Sequence, residues 1–166
     1  MSFKYLILFS LLFIPNNQKQ EINKFEAFEN LIGKTWIAEG HWADQSKFKQ
    51  EISFEYDLNK NIIICKSKGF TNAEQTEYGA RNHGIRQFDS ELGKIRFWEF
   101  DIFGSLTEGT VDFEGKNIIY QYQYHGSNIT DMWEYVNDSL YNFKVGVYNH
   151  GTWGQVFLST QFREKH

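Results

Sequence analysis

The residues best suited to chemistry lie in one segment and in the strand expected beside it. His83 and Glu99 are the candidate acid–base groups, and Tyr78 or Arg86 would orient a substrate against them. An arginine that points into a protein interior needs a carboxylate partner, because an unpaired buried charge is very costly. Glu99 and Glu108 are the candidate partners, and without one of them the arginine would attract an anionic ligand.

Side-chain alternation limits which of these groups can face the interior together. In an extended strand, successive side chains point to opposite faces. Arg81 and His83 share one face of their segment, whereas Tyr78 and Arg86 share the other. Only one of the two sets can point inward, and alternation alone leaves that choice open.

Other kinds of reactive site are poorly represented. The five histidines stand singly, without the H-x-H or H-E-x-x-H spacing of a preformed metal site. Cys65 is the only cysteine, which excludes intramolecular disulfides and cysteine-cluster zinc sites. The chain has no glycine-rich phosphate loop after a strand and no G-x-S-x-G motif. We therefore expect no metal and no cofactor.

Length, composition and charge narrow the class of protein. The 166 residues fit one domain. Aromatic residues make up 18% of the chain and there is one proline, which indicates a globular protein with a sizeable core. Lysine and arginine number 17 against 21 acidic residues, a net charge of −4. Because nucleic-acid binders are typically basic, we expect no nucleic-acid partner.

Residues 1–20 have the pattern of a secretory signal peptide. Lys4 precedes an apolar run over residues 5–14, and polar residues follow. The run is shorter than the roughly 20 residues that span a membrane, so we expect no stable membrane insertion of the mature protein. Cleavage would remove two lysines and no acid, changing the net charge from −4 to −6. We predict a secreted or periplasmic protein; a buried N-terminal strand or helix is the alternative.

The hydrophobic pattern changes period along the chain. Residues 21–32 carry apolar side chains at three-residue steps and predict a short amphipathic helix that ends at Gly33. Beyond it the period is two, and short turns imply antiparallel neighbours. The ten predicted strands are 34–43, 48–57, 61–70, 74–88, 94–101, 104–113, 116–125, 128–137, 139–148 and 153–163. The fourth is expected to bend or bulge near Gly79 or Gly84.

We expect these consecutive antiparallel strands to close into a barrel, because closure removes the exposed edges of the sheet. We predict an all-β fold: an antiparallel up-and-down β-barrel of about ten strands with a short N-terminal helix. A two-sheet sandwich is the structural alternative. Aromatic faces such as Tyr120, Tyr122 and Tyr124 fit either ordinary core packing or a barrel that holds one small ligand. The candidate cavity-lining residues are Trp36, Tyr78, His83, Arg86, Trp98, Glu99, Tyr122 and Trp133.

Residues 31–42 place Gly33 shortly before Trp36, directly after the predicted helix. This segment resembles the first strand of lipocalin-like (calycin-type) barrels, in which a tryptophan packs at the barrel base. The resemblance implies a ten-stranded lipocalin-like barrel domain over residues 21–166, similar to nitrobindin-type haem barrels and to small secreted proteins of unknown function. Nitrobindin-type barrels ligate haem through a histidine near the last strand. The last predicted strand, 153–163, carries no histidine, which leaves His83, or His150 in the preceding turn, as displaced alternatives.

The resulting functional hypothesis is a secreted, non-catalytic barrel that binds a small hydrophobic or amphipathic molecule in its interior. Two alternatives remain at this stage. One is a barrel enzyme of the isomerase or lyase type that uses interior histidine, glutamate, arginine and tyrosine as acid–base groups. The other is a filled barrel that serves as an envelope interaction protein. A solid interior would favour the envelope interaction protein, and an open interior would favour the binding barrel or the enzyme.

Overall fold

The computed structural model describes residues 23–166, and the predicted signal peptide, residues 1–20, lies outside this range. The described chain forms one closed antiparallel barrel in which each strand pairs with its neighbours in sequence. Closure is made between the first and last strands, where Trp36 pairs with Glu164 and Ile37 pairs with Arg163. The predicted ten-stranded antiparallel barrel is confirmed, and the sandwich alternative is wrong.

The strand boundaries lie close to those expected from the alternation. The strands are β1 (Thr35–His41), β2 (Lys47–Asp57), β3 (Ile62–Phe70), β4 (Tyr78–Asp89), β5 (Lys94–Asp101), β6 (Leu106–Glu114), β7 (Asn117–Tyr124), β8 (Ser127–Asn137), β9 (Leu140–Asn149) and β10 (Thr152–Glu164). The turns after β2, β4, β6 and β8 lie at one end of the barrel, here called the base. The turns after β1, β3, β5, β7 and β9 lie at the other end, here called the mouth.

The N-terminal element differs from the prediction. Within the described residues it is a single 3-10 turn, Glu26–Phe28, and not an amphipathic α-helix. Its hydrogen bonds step by three residues: the Phe28 amide donates to the Phe25 carbonyl at 2.8 Å, and the Leu31 amide donates to the Phe28 carbonyl at 2.7 Å. Three residues per turn is the period of a 3-10 helix, so apolar side chains spaced by three are aligned by it. From residue 23 onward the expected apolar stripe is confirmed and the helix type was wrong, while residues 21 and 22 of the predicted helix lie outside the described residues.

This turn closes the base. Phe25, Phe28 and Leu31 are all buried. The Phe28 ring packs against Phe54 and Phe113, with centroid separations of 6.1 Å and 5.7 Å. The base of the barrel is therefore sealed by side chains from outside the sheet.

No helix among the described residues is long and apolar enough to cross a membrane.

Candidate functional site

The half of the interior nearest the base is filled by aromatic side chains. Trp36 and Tyr141 are fully buried and meet edge to face at 5.2 Å between ring centroids. Above them, Trp133 stacks on Phe162 with a centroid separation of 4.1 Å. These rings pack into the lower half of the interior, and Trp133 forms part of the floor of the cavity above them.

The half nearest the mouth is open. An inner cavity of about 210 Å³ lies above the aromatic floor. A second cavity of about 680 Å³ lies at the mouth, and both are lined by Thr107 and Tyr122. The residues that line the inner cavity are Gln50, Ile52, Phe54, Asn82, Arg86, Phe97, Glu99, Thr107, Tyr120, Tyr122, Asp131, Trp133 and Phe143. The interior is thus polar as well as aromatic, and its polar groups face the cavity.

An ion pair lies in the wall of the inner cavity. Arg86 Nη1 is 2.7 Å from Glu99 Oε2, and the two side chains are 5% and 17% exposed. Arg86 Nε also donates a hydrogen bond to the Tyr120 hydroxyl at 3.2 Å. Gly84 leaves the space that this pair occupies, because a Cβ at that position would overlap both charged groups. Of the two predicted partners for an inward arginine, Glu99 fills the role.

A second carboxyl lies in the same wall. Tyr122 donates its hydroxyl hydrogen bond to Asp131 Oδ1 at 3.0 Å. Burial raises the pKa of Asp131 to about 7; the bond from Tyr122 lowers this pKa, and the nearby charge of Glu99 raises it. Asp131 is therefore poised to change charge near neutral pH, whereas burial raises the pKa of Tyr122 and keeps its proton in place.

The raised pKa of Asp131 predicts a pH-dependent cost of burying this carboxyl. Its folded-state pKa of about 7 lies above the unfolded value near 3.8, so folding favours the protonated form. The stability that Asp131 contributes therefore falls as pH rises from about 4 to about 7. We expect Asp131→Asn to gain free energy of unfolding relative to the wild type across this window.

Urea unfolding at several pH values between about 4 and about 8 measures this gain. Asp112→Asn is the matched control, because Asp112 pairs with Lys94 on the outer face of the barrel. A stability difference for Asp131→Asn that stays constant over the range would show that Asp131 has an ordinary pKa.

The structure brings together some of the predicted lining residues and separates others. Arg86, Glu99, Tyr122 and Trp133 line the inner cavity. Trp36 is interior but belongs to the aromatic floor. The remaining three, Tyr78, His83 and Trp98, lie on the outer face of the barrel and do not line the cavity.

Two physical causes account for the outer positions. His83 alternates with the inward-facing Arg86 in the register of β4, and Trp98 alternates with Glu99 on β5. Tyr78 was expected to share the face of Arg86, but the β3–β4 register shifts where β4 carries Arg81 as an extra residue. This bulge turns every residue before it, Tyr78 included, to the opposite face. It lies between the two glycines near which a bulge was expected.

Several lining residues were not anticipated from the sequence, above all Asp131. A signal for it was present, because Asp131 lies two residues before Trp133 in a predicted strand and must share its face. The same reasoning predicts an inward Tyr120, because it lies two residues before Tyr122 on β7. Asn82 was also open to this reasoning, because it lies four residues before Arg86 with no bulge between them. Thr107 carries no such signal, since no candidate lining residue lies on β6.

Among the described residues, no histidine lines the inner cavity, and His125 lies at the mouth cavity. His83 and His150, the two displaced haem-ligand candidates, are both exposed. Within residues 23–166, no group of three histidine, cysteine, aspartate or glutamate side chains is arranged to hold a metal ion. Cys65 is buried, and burial raises its thiol pKa to about 12.

Comparison with known proteins identifies the fold of this chain but not its family. No protein-family model matches the chain, and no curated protein matches it. Among solved structures, the S-type phycobiliprotein lyase of Guillardia theta is similar, with a TM-score of 0.52 and 12% identity over 85% of this chain and 92% of that one. A de novo designed fluorescence-activating β-barrel is similar over 84% of this chain and 98% of its own, with a TM-score of 0.44 and 12% identity. At 12% identity, the similarity to the lyase shows a shared fold alone.

Proposed function

We propose that this protein is a lipocalin-like barrel that binds a small amphipathic molecule through its mouth. The observation that carries the proposal is the polar, aromatic-walled cavity of about 210 Å³ that shares Thr107 and Tyr122 with the mouth cavity. Ligand sites combine apolar walls with convergent polar groups. Here the polar groups converge on the inner cavity, and the mouth cavity supplies most of the apolar wall. The buried Trp36 at the base, after Gly33, supports the lipocalin-like assignment.

The volumes define how such a molecule would lie. The inner cavity alone is smaller than the roughly 300 Å³ at which drug-sized pockets begin. A polar headgroup with a small ring or short chain fills it, and a longer apolar portion extends into the mouth. There, Trp42, Ile129, Val145 and Phe157 supply apolar contacts. The barrel that the chain shares with a phycobiliprotein lyase is compatible with such an arrangement.

The same proposal includes export of the protein. A basic residue followed by a short apolar run at residues 5–14 is the pattern of a cleaved secretory signal, which favours a secreted or periplasmic location.

Blocking the passage between the two cavities tests the proposal. We expect Thr107→Trp to weaken binding of the neutral dye Nile red by at least about tenfold, because an indole at this position fills the space common to both cavities. Fluorescence titration measures the affinity. Thr110→Trp makes the same change on the outer face of β6, beside Arg96, and should leave the affinity unchanged. Equal affinities in the two variants would place the dye outside the barrel and contradict the proposal.

An acid–base enzyme is the second candidate, and Asp131 is the observation that favours it. A carboxyl whose pKa is raised to about 7 by burial can give or take a proton at neutral pH, and it faces a cavity able to admit a substrate. Of the acid–base groups expected from the sequence, Glu99 and Arg86 face the cavity and pair with each other, whereas His83 and Tyr78 lie on the outer face.

A further inference from the structure

The polar groups of the inner cavity do not balance in charge. Arg86 and Glu99 neutralise each other in a direct ion pair. Asp131 is the third ionisable carboxyl or guanidinium group in the lining, and among residues 23–166 its side chain receives a hydrogen bond from Tyr122 alone. Once Asp131 is ionised, the cavity holds one negative charge without a cationic partner.

The ion pair does not supply the missing positive charge. Glu99 raises the pKa of Asp131 and Arg86 lowers it, so the two charges of the pair act on Asp131 in opposite directions. Arg86 makes its direct polar contacts elsewhere: it pairs with Glu99, donates to Tyr120 and lies over the Tyr120 ring at 5.2 Å. An ionised Asp131 in this setting attracts a further cation.

The walls around Asp131 are aromatic. Trp133 is two residues along β8 on the same face, and Phe143 lines the same cavity. Tyr120, opposite Asp131 on β7, and Phe97 line it too, and Arg86 already lies over one face of each ring, at 5.2 Å and 5.8 Å. The faces of aromatic rings attract cations, and quaternary and protonated amines are commonly bound between such rings beside a carboxylate. A ring-lined cavity with one unpaired carboxylate therefore has the chemistry of an ammonium site.

We infer that the inner cavity binds the ammonium group of a small amphipathic amine, with Asp131 as its counter-ion and the aromatic walls around it. The inference rests on the proposed function, because the amine must enter through the mouth. Its apolar portion lies toward Ile129 and Val145, which line the mouth cavity.

The geometry also sets the pH dependence. The groups facing Asp131 are Tyr122 and Tyr120 on β7, Glu99 on β5 and Arg86 on β4, while β9 presents the uncharged Val145. Of these, Asp131 is the group whose pKa is raised to about 7. Affinity for an amine should therefore increase as pH rises through this range, for as long as the amine stays protonated.

Three probes of similar shape test the inference: 2-phenylethylamine, 2-phenylethanol and phenylacetate. Binding is followed at about pH 8 by NMR titration of the Ile129 and Val145 methyl signals. We expect the amine to bind at least about tenfold more tightly than the alcohol, the usual order for a charge-assisted contact in a buried site. Asp131→Asn should abolish this preference, and Asp112→Asn, the same change on the outer face, should keep it.

The outcomes separate this inference from the proposed function. A protein that binds the alcohol but shows no preference for the amine, or keeps that preference in Asp131→Asn, overturns the ammonium site and leaves small-molecule binding in place. Tightest binding of phenylacetate overturns it as well, and would make Arg86 the recognition group. If none of the probes binds but Nile red does, the ammonium site alone is overturned. If neither the probes nor Nile red bind, both are contradicted.

Discussion

Replacing Glu99 by glutamine is expected to lower the free energy of unfolding by about 3 kcal/mol. The change leaves the Arg86 guanidinium, which is 5% exposed, without its carboxylate at 2.7 Å. Arginine does not lose its proton in proteins, so the charge stays buried without its direct partner. Breaking a buried ion pair by removing one partner typically costs about 3–5 kcal/mol, and the glutamine oxygen can still accept one hydrogen bond. Urea unfolding followed by tryptophan fluorescence measures the loss.

Two further variants show that the effect comes from the buried charge. Glu108→Gln removes the exposed partner of Arg96 and should change stability by less than about 0.5 kcal/mol. The double variant Arg86→Met, Glu99→Leu removes both charges and should be more stable than Glu99→Gln. A double variant less stable than the single one would contradict this explanation, because it would mean that the charge on Arg86 is not what makes the single change costly.

Replacing Phe28 by alanine is expected to cost about 3–5 kcal/mol, the usual range for a fully buried phenylalanine. Phe28 has no exposed surface and lies against Phe54, Phe113 and Tyr120. Its removal would leave a hole where the 3-10 turn seals the base. The free energy of unfolding, measured as above, gives the loss.

Phe103→Ala is the matched control, since Phe103 is 56% exposed in the turn between β5 and β6 at the mouth. It should cost less than about 1 kcal/mol. A cost for Phe28→Ala as small as that of Phe103→Ala would mean that the N-terminal turn does not hold the barrel closed.

The sequence predicted the barrel well because its strands alternate clearly and its turns are short. The β7 residues Ile118, Tyr120 and Tyr122 show the pattern that worked, with all three facing inward as expected from a period of two. No sequence motif predicted that the sheet closes. The prediction came from the two unpaired strand edges that ten consecutive strands would otherwise expose.

The candidate site was harder to predict because alternation gives two faces and does not say which one is inside. Tyr78 does not share the face of Arg86 as alternation predicts. The extra residue Arg81 lies between them and turns the side chains before it to the opposite face of the sheet. A bulge of this kind adds one residue without any turn signal in the sequence. The pairing of β4 with β3 and β5 is what shows that Arg86 faces the interior, and this pairing is not visible in the sequence.

Asp131 shows a different limit. It stands among apolar residues of β8, and an isolated acid in such a run is ordinarily assigned to the solvent face. Its neighbour Trp133 argued for the interior, but the hydrogen bond from Tyr122 that makes burial tolerable joins two strands and is visible only in the fold. The polar centre of the cavity is thus a product of pairing between strands rather than of any one segment.

Native mass spectrometry most directly tests whether the interior holds a small molecule. The wild type, Thr107→Trp and Thr110→Trp would be purified without refolding from a host that exports the protein. A cavity reached through the mouth predicts a discrete additional mass on the wild type and on Thr110→Trp, and its loss from Thr107→Trp. The same additional mass on Thr107→Trp as on the wild type would contradict binding inside the barrel.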